Sequence, residues 1–451
     1  MSDLEGLARN LLKHGQSSEE ILNRLVEEIQ NFKDIGEGGA RPLAEAVLEE
    51  VQASDRSVDR KADLLSTTRA GVSMGEFGVG CRGTGDFFVH RLVADISKPD
   101  QEVALSPQDM DDAGALKLGE GQYLVAKMEG MHSRLSDFPF LAGFHVTRAA
   151  IRDLLVKGAL PSGVMVDIHL ADDADIGKLF DFMSGVRCIC RVVNCPILGG
   201  STLRIGGDMV IGTRMTGGVS AFGFSSRILP RRDVVPGDAI LMTEGAGGGT
   251  ICTTAIYSGR PEVVDETINI KFVVAARAVL SSEYAKDVHC MADVTNGGLR
   301  ADLHEIADEC GSGSRVFEDK ILSLPNPRVR EMLDELEIDV LGVSLDSLLV
   351  FCRWESAEDL VSLLRRSGVE AEIIGRTTSA PGVKMVTADG ESSFIPRFRE
   401  SPYTKVKKVV DHRPETETYM EESLVSAARK AEARAVRVAE MLAREFGSLR
   451  S

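Results

Sequence analysis

The chain lacks any uncharged run close to the roughly 18 apolar residues that a bilayer crossing needs, so no membrane partner is expected from its 451 residues. Aromatic side chains are few, with one Trp and five Tyr, and the cores are therefore expected to be built from Val, Ile, Leu and Ala. Basic residues are outnumbered. The net charge of −17 argues against a nucleic-acid partner or an anionic lipid surface. The opening Met1-Ser2-Asp3-Leu4-Glu5 places acids where a secretory leader carries basic groups, and a cytoplasmic location is expected. The eight Cys are scattered, apart from Cys188-Ile189-Cys190 and Cys195. That spacing does not match the usual zinc-ligand patterns, and the thiols read as reduced and mostly buried.

What is present suits a globular enzyme. An apolar fraction of 43% is ordinary for a protein with sizeable cores, and the length suggests two domains with appendages. The first sixty-odd residues read as helices. Ser17-Ser18-Glu19-Glu20 forms a capping-box pattern, and Ile21, Leu22, Leu25, Val26, Ile29 and Phe32 line one helical face. Gly36-Glu37-Gly38-Gly39 reads as a break, Pro42 suits the first turn of a third helix ending near Gln52, and residues 53–61 read as a linker. Beyond lies mixed α/β sequence. Strands are expected at 123–126, 164–168, 209–213 and 238–243, and helices at 144–156 and 174–192. The expected boundaries are a helical extension over 1–66, a first domain over 67–228, a second over 229–405 and a helical tail over 406–451. In that tail Leu424, Ala428, Ala431, Ala435, Val438 and Leu442 form an apolar seam. It suits either a helix docked on its own domain or a contact with a second chain.

The chemistry-bearing residues follow one another in a fixed order. Gly78, Gly80, Gly83 and Gly85 punctuate a segment in which successive backbone amides can face one anion. Taken alone, a glycine-rich turn of this kind is a flexible loop more often than a phosphate cradle. No Gly-Lys-Ser/Thr ends it, so it is not a P-loop. Asp111-Asp112 is a paired carboxylate, suited to a solvated turn or to a cation. Glu129 and Asp153 are the natural further ligands. Asp293-Val294-Thr295-Asn296-Gly297-Gly298-Leu299 opens a helix, and Asn296, Gly297 and Gly298 there either bind an anion or simply start a helix capped by Thr295 or Asn296. Arg82, Lys127 and His132 are candidates for stabilising a transferring phosphoryl group, although His132 suits a structural role equally well. Cys81, beside Arg82, is either a reactive thiol or a small residue in a tight loop. Together the signals point to phosphates held by amides and shielded by Mg²⁺.

In this order the motifs resemble those of the aminoimidazole ribonucleotide (AIR) synthase superfamily, over about residues 70–400. Gly80-Cys81-Arg82-Gly83 is similar to its glycine-rich segment and Asp111-Asp112-Ala113 to its magnesium motif. Glu129-Gly130-Met131-His132, Arg152-Asp153 with Lys157-Gly158-Ala159-Leu160-Pro161, and Gly199-Gly200-Ser201-Thr202 resemble elements of the thiamine-monophosphate kinase branch. Asp293–Leu299 is similar to an element of the second domain. The resemblance implies an α/β (α+β), two-domain fold whose first domains pair into a dimeric β-barrel, making the protein a homodimer. It implies ATP and Mg²⁺ as cofactors, with Asp111, Asp112, Glu129 and Asp153 as metal ligands, and a small-molecule substrate whose oxygen or selenium takes the γ-phosphate. Ser201 departs from that branch, which has an acid there. The ending Ser448-Leu449-Arg450-Ser451 lacks the C-terminal Cys of the HypE branch, so carbamoyl-dehydration chemistry is not expected. The alternative is a catalytically silent ATP-binding or scaffold protein that docks a partner through its terminal helices.

Overall fold

The computed structural model describes residues 1–446; Ser448–Ser451, on which the contrast with HypE rests, lie outside the described residues. Among the described residues no helix is long and apolar enough to cross a membrane. The chain divides into two compact units. The first comprises Met1–Thr67, Glu129–Thr147 and Val164–Ser220, and the second Thr68–Met128, Arg148–Gly163 and Ala221–Ser451.

In the first unit, helices Leu4–Lys13, Ser18–Phe32 and Glu37–Arg60 bury Leu4, Ala8, Ile21, Leu25, Val26, Ile29, Ala44, Val47 and Val51 around Ile211. The capping box forms as expected. The Ser17 N–H donates to Glu20 Oε2 at 2.8 Å, and the Glu20 N–H donates to Ser17 Oγ at 3.4 Å. Phe32, at the end of the expected face, is 38% exposed. The third helix differs from the sequence reading. It starts at Glu37, encloses Pro42 and continues to Arg60, absorbing most of the expected linker. Polarity alone does not stop a helix, and residues 53–60 contain neither Gly nor Pro.

A five-stranded sheet has the order Gly114–Gly119, Gln122–Gly130, Met215–Ser225, Leu160–Leu170, Ile197–Arg204 and is open in the single chain. Three of its strands contain residues of both units. Within the first unit, Val164–Leu170 runs parallel to Ile197–Arg204; within the second, Gly114–Gly119 pairs antiparallel with the start of Gln122–Gly130. Val164, Val166, Ile168 and Leu170 are buried while Met165 between them is exposed, the alternation expected of a half-buried strand. The strand expected at 209–213 shrinks to Val210–Ile211, which pairs with Ser2–Asp3.

The second unit holds a seven-stranded sheet in the order Gly390–Ser393, Val383–Thr387, Gly313–Phe317, Ala371–Thr378, Ala239–Thr243, Leu348–Cys352, Val288–Asp293. Its pairings are antiparallel except that of Gly313–Phe317 with Val383–Thr387. Ala239–Thr243 and Leu348–Cys352 are buried along their whole length, which explains why every residue but Thr243 is apolar. The helix Gly249–Ser258 follows the glycine-rich stretch 245–249, as expected. Among the described residues the tail opens with a short helix, Lys405–Val409, and continues in a long one, Glu417–Phe446, which has no fully buried residue. It packs against the helix Thr84–Ile96 of the same unit. Leu424, Ala428, Ala431 and Val438 of the seam are half-buried, and Ala435 and Leu442 are exposed.

Candidate functional site

Arg82, Lys127, Asp111, Asp112, Asp153, the glycine segment and residues 296–298 all belong to the second unit, whereas Glu129 and His132 belong to the first. Glu129 is half-buried in the strand Gln122–Gly130, and His132 is half-buried just before a short 3₁₀ turn, Ser133–Asp137.

The glycine segment leads into the helix Thr84–Ile96. Gly78, Gly80 and Arg82 have φ of 73°, 82° and 52°, a left-handed backbone that turns amides inward. The anion they face is internal. The Asp86 carboxylate accepts the N–H of Gly80 at 3.0 Å and of Arg82 at 2.8 Å and is fully buried. Gly83 cannot carry a side chain, because a Cβ there would lie 2.4 Å from the carbonyl oxygens of Arg397 and Phe398. Gly85 is equally close to the Phe77 carbonyl oxygen. Cys81 is half-buried, and its carbonyl accepts the Glu400 N–H at 3.2 Å.

The Arg82 side chain reaches the helix Gly298–Cys310, with Nη2 2.6 Å from Glu305 and 3.4 Å from Asp302. Asp302 also accepts the Thr295 N–H at 2.9 Å. Burial pushes the Asp302 carboxyl up to about 7; Glu305 adds to the effect, and Arg82 and Arg231 oppose it. The helix start is not capped by Thr295 or Asn296. Gly297 stands at the cap without a side-chain bond, its N–H donates to Ser401 Oγ at 3.0 Å, and a Cβ on it would lie 2.7 Å from Arg82 Cβ. Asn296 Oδ1 is buried and has no hydrogen-bond partner among the described residues.

Asp111 and Asp112 lie just before the strand Gly114–Gly119. Lys157 Nζ is 2.6 Å from Asp111 and 3.1 Å from Asp112. Arg231 Nη2 is 2.5 Å from Asp112, and the Arg231 N–H donates to Asp111 Oδ2 at 2.9 Å. Lys157 has no exposed surface, and its remaining hydrogen bonds go to the carbonyls of Met291 at 3.0 Å and Leu229 at 3.2 Å. The helix Pro139–Val156 supplies the other half of the centre, because Arg148 and Arg152, four residues apart, share one face. Arg152 pairs with Asp293 and is 2.7 Å from Asp346, and Arg148 is 2.8 Å from Asp346. Asp153 is 3.2 Å from Arg152 Nε and 2.8 Å from Lys127 Nζ.

Asp111, Asp112, Asp153, Asp293 and Asp346 thus meet Lys127, Arg148, Arg152, Lys157 and Arg231, and Arg231 Nη1, 3.3 Å from Glu305, joins this cluster to Arg82 and Asp302. Burial by itself would raise the Asp112 pKa; Arg231, Lys157 and Lys127 more than offset it and hold the carboxyl well below its usual range. Burial also opposes ionisation of Asp153, and Lys127 and Arg152 hold that pKa below its usual value. Asp293 is driven the other way, first by burial and then by Asp153, Asp112 and Asp302, against the pull of Arg152. Most of these cations are buried, but the Lys127 and Arg82 side chains keep 22% and 26% of their surface exposed.

A bound Mg²⁺ needs carboxylate oxygens free to coordinate it. The oxygens of Asp111, Asp112 and Asp153 already face ammonium and guanidinium groups. Among the described residues no group of three or more His, Cys, Asp or Glu is placed to hold a metal ion. As it stands, the donor set does not fit a divalent cation. Arg148, Arg231, Asp86, Asp302, Glu305 and Asp346 were not among the sequence candidates. Asp346 is a lone acid in an apolar stretch outside any helix, and Arg231 opens a short 3₁₀ turn, Arg231–Asp233, so neither carries a sequence signal.

Residues 110–219 match the N-terminal domain of AIR synthase related protein and residues 235–387 its C-terminal domain. An uncharacterized protein of Methanocaldococcus jannaschii is 44% identical over 422 residues, spanning 92% of each chain. Among solved structures, the HypE–HypF complex superposes with a TM-score of 0.56 at 19% identity, covering 69% of this chain and 99% of the other. AaThiL complexed with AMPPCP and TMP gives 0.53 at 14% identity, covering 67% and 93%. The chain belongs to the AIR synthase-related family.

Proposed function

We propose that the protein is an ATP-using enzyme that activates a small metabolite by placing the γ-phosphate of ATP on an oxygen or selenium of it. The observation that carries this reading is one convergence within the second unit. The glycine segment, the Asp111-Asp112 loop, Asp153 and the 293–298 helix start surround a buried charge centre whose solvent-touching cations are Arg82 and Lys127. Cations at a water-accessible rim suit phosphate oxygens, because transfer rests on positioning and on neutralising charge. The acceptor atom attacks the γ-phosphorus, the bond from that phosphorus to the bridging oxygen breaks, and ADP leaves with the electron pair.

In this reading Gly78, Gly80, Gly83 and Gly85 shape a loop, held by Asp86, that covers the nucleotide. At the 296–298 helix start the N–H groups of Gly297 and Gly298 are taken by Ser401 Oγ and the Thr295 carbonyl, which leaves Asn296 to meet the substrate. Mg²⁺ enters as the counter-ion on the ATP phosphates, and no step is assigned to a metal on the aspartates. AaThiL, which binds AMPPCP, supports ATP as the donor. A homodimer is the proposed assembly, supported by large apolar side chains left exposed on the open sheet: Met165, Leu198 and Leu203 in the first unit, and Leu116, Leu118 and Phe224 in the second. The proposed domain boundaries remain 67–228 and 229–405, with helical extensions outside them.

Titration of the full chain with ATP in the presence of Mg²⁺, followed by calorimetry, tests the reading. Saturable binding that Lys127→Met and Arg82→Ala each weaken supports it. Absence of binding by the wild-type chain rejects it.

A further inference from the structure

The tail helix Glu417–Phe446 and the helix Thr84–Ile96, both of the second unit, flank an open groove of about 670 Å³. Phe88 forms one wall, and the other is a single face of the tail helix, whose lining residues recur three and four apart. That face is acidic at one end, with Glu421 and Glu422, and basic at the other, with Arg429 and Lys430. Val425 and Ser426 lie between the charges, and Thr418 and Ala433 lie outside them. The positions are symmetric about the midpoint between Val425 and Ser426. Turned end for end about that midpoint, the face lays Glu421 on Lys430, Glu422 on Arg429 and Thr418 on Ala433. Among the described residues none of the four charges is in a salt bridge within the chain.

We infer that the groove receives the tail helix of a second copy of this chain, antiparallel to the first, about a two-fold axis at Val425–Ser426. A two-fold contact needs a surface complementary to itself, and this face meets that condition in charge: each acid faces a base, once in each direction. The short side chains of Thr418, Val425, Ser426 and Ala433 let the two helices approach closely, and burial of Phe88 supplies apolar contact. The charges set the orientation. A parallel pair in register would place acid on acid and base on base, and a partner of one charge sign would be repelled at one end of the groove. The contact uses no residue of the open sheet and does not depend on the ATP reading.

Sedimentation equilibrium of the full chain provides the test. Arg429→Glu/Lys430→Glu makes the face wholly acidic, and Glu421→Lys/Glu422→Lys makes it wholly basic. Each variant alone should show half the wild-type mass, and an equimolar mixture should regain that mass, because only the mixed pair is complementary. Arg429 and Lys430 are exposed, so the acidic variant decides the matter even if the basic one folds poorly. A wild-type mass retained by the acidic variant overturns the inference and leaves the open sheet as the self-contact. Halved masses that mixing two folded variants does not restore overturn it as well. So does a monomeric wild type, which leaves the groove to a different protein. If the open sheet also pairs, the wild type is a tetramer and the variants are dimers; if it does not, they are a dimer and monomers. Failure of the sheet dimer is therefore told apart from failure of this contact.

Discussion

Lys157, without exposed surface, holds its ammonium 2.6 Å from the carboxylate of Asp111. A buried pair of this kind stabilises less than its geometry suggests, because both ions lose water. Removing one partner is costly nonetheless, because the other charge is left unmatched. Lys157→Met is therefore expected to destabilise the fold by about 3–5 kcal/mol, read as a lower urea midpoint with unchanged slope. A loss below about 1 kcal/mol would mean that Asp111 and Asp112 find water or another partner.

Asp302 gives stability a pH dependence of known sign. Its folded pKa of about 7 exceeds the unfolded value of about 3.9, so between these values the folded protein keeps a proton that the unfolded chain has released. Stability therefore falls as pH rises from about 4 to about 7 and levels off above. Asp302→Asn removes that component. Relative to wild type, the variant should gain on the order of 2 kcal/mol between pH 5 and pH 8, measured by denaturant titration at both values. A difference between the proteins that does not change with pH contradicts the assignment.

Gly83 is where the glycine loop meets the segment 397–398. A methyl group there meets two carbonyl oxygens rather than a flexible side chain. Gly83→Ala is expected to cost about 1–3 kcal/mol and to lower the melting temperature measurably. Retention of wild-type stability would show that the loop moves aside easily.

Ser17 offers a control remote from the charge centre. Its side chain caps the helix Ser18–Phe32 at an exposed position, so Ser17→Ala should cost about 1 kcal/mol and leave nucleotide binding unchanged. Altered binding would imply a coupling that the capping geometry does not provide.

Much of this organisation is legible in the residues themselves. Ser17 and Glu20 announce their helix, and the apolar run at 239–242 announces a buried strand. Asp111, Asp112, Asp153 and Asp293 are recognisable as motif residues, and all belong to the unit that carries the charge centre. What surrounds them is less legible. Arg148 and Arg152 recur at a spacing that also describes a solvated helix face, Lys157 stands just after that helix, and only tertiary packing buries them. Asp86 reads as a first-turn acid, whereas it accepts the loop amides from inside. Pro42 reads as a helix start because its missing N–H is harmless there, yet the helix already begins at Glu37.

Thermal unfolding of the wild-type chain and of Lys127→Met, with and without ATP and Mg²⁺, tests the central claim most directly. A ligand that binds only the folded state adds about 2.7 kcal/mol at a hundredfold excess over its Kd. The account predicts a clear rise in melting temperature for wild type and a smaller one for Lys127→Met. An unchanged wild-type melting temperature at saturating ATP and Mg²⁺ would contradict it.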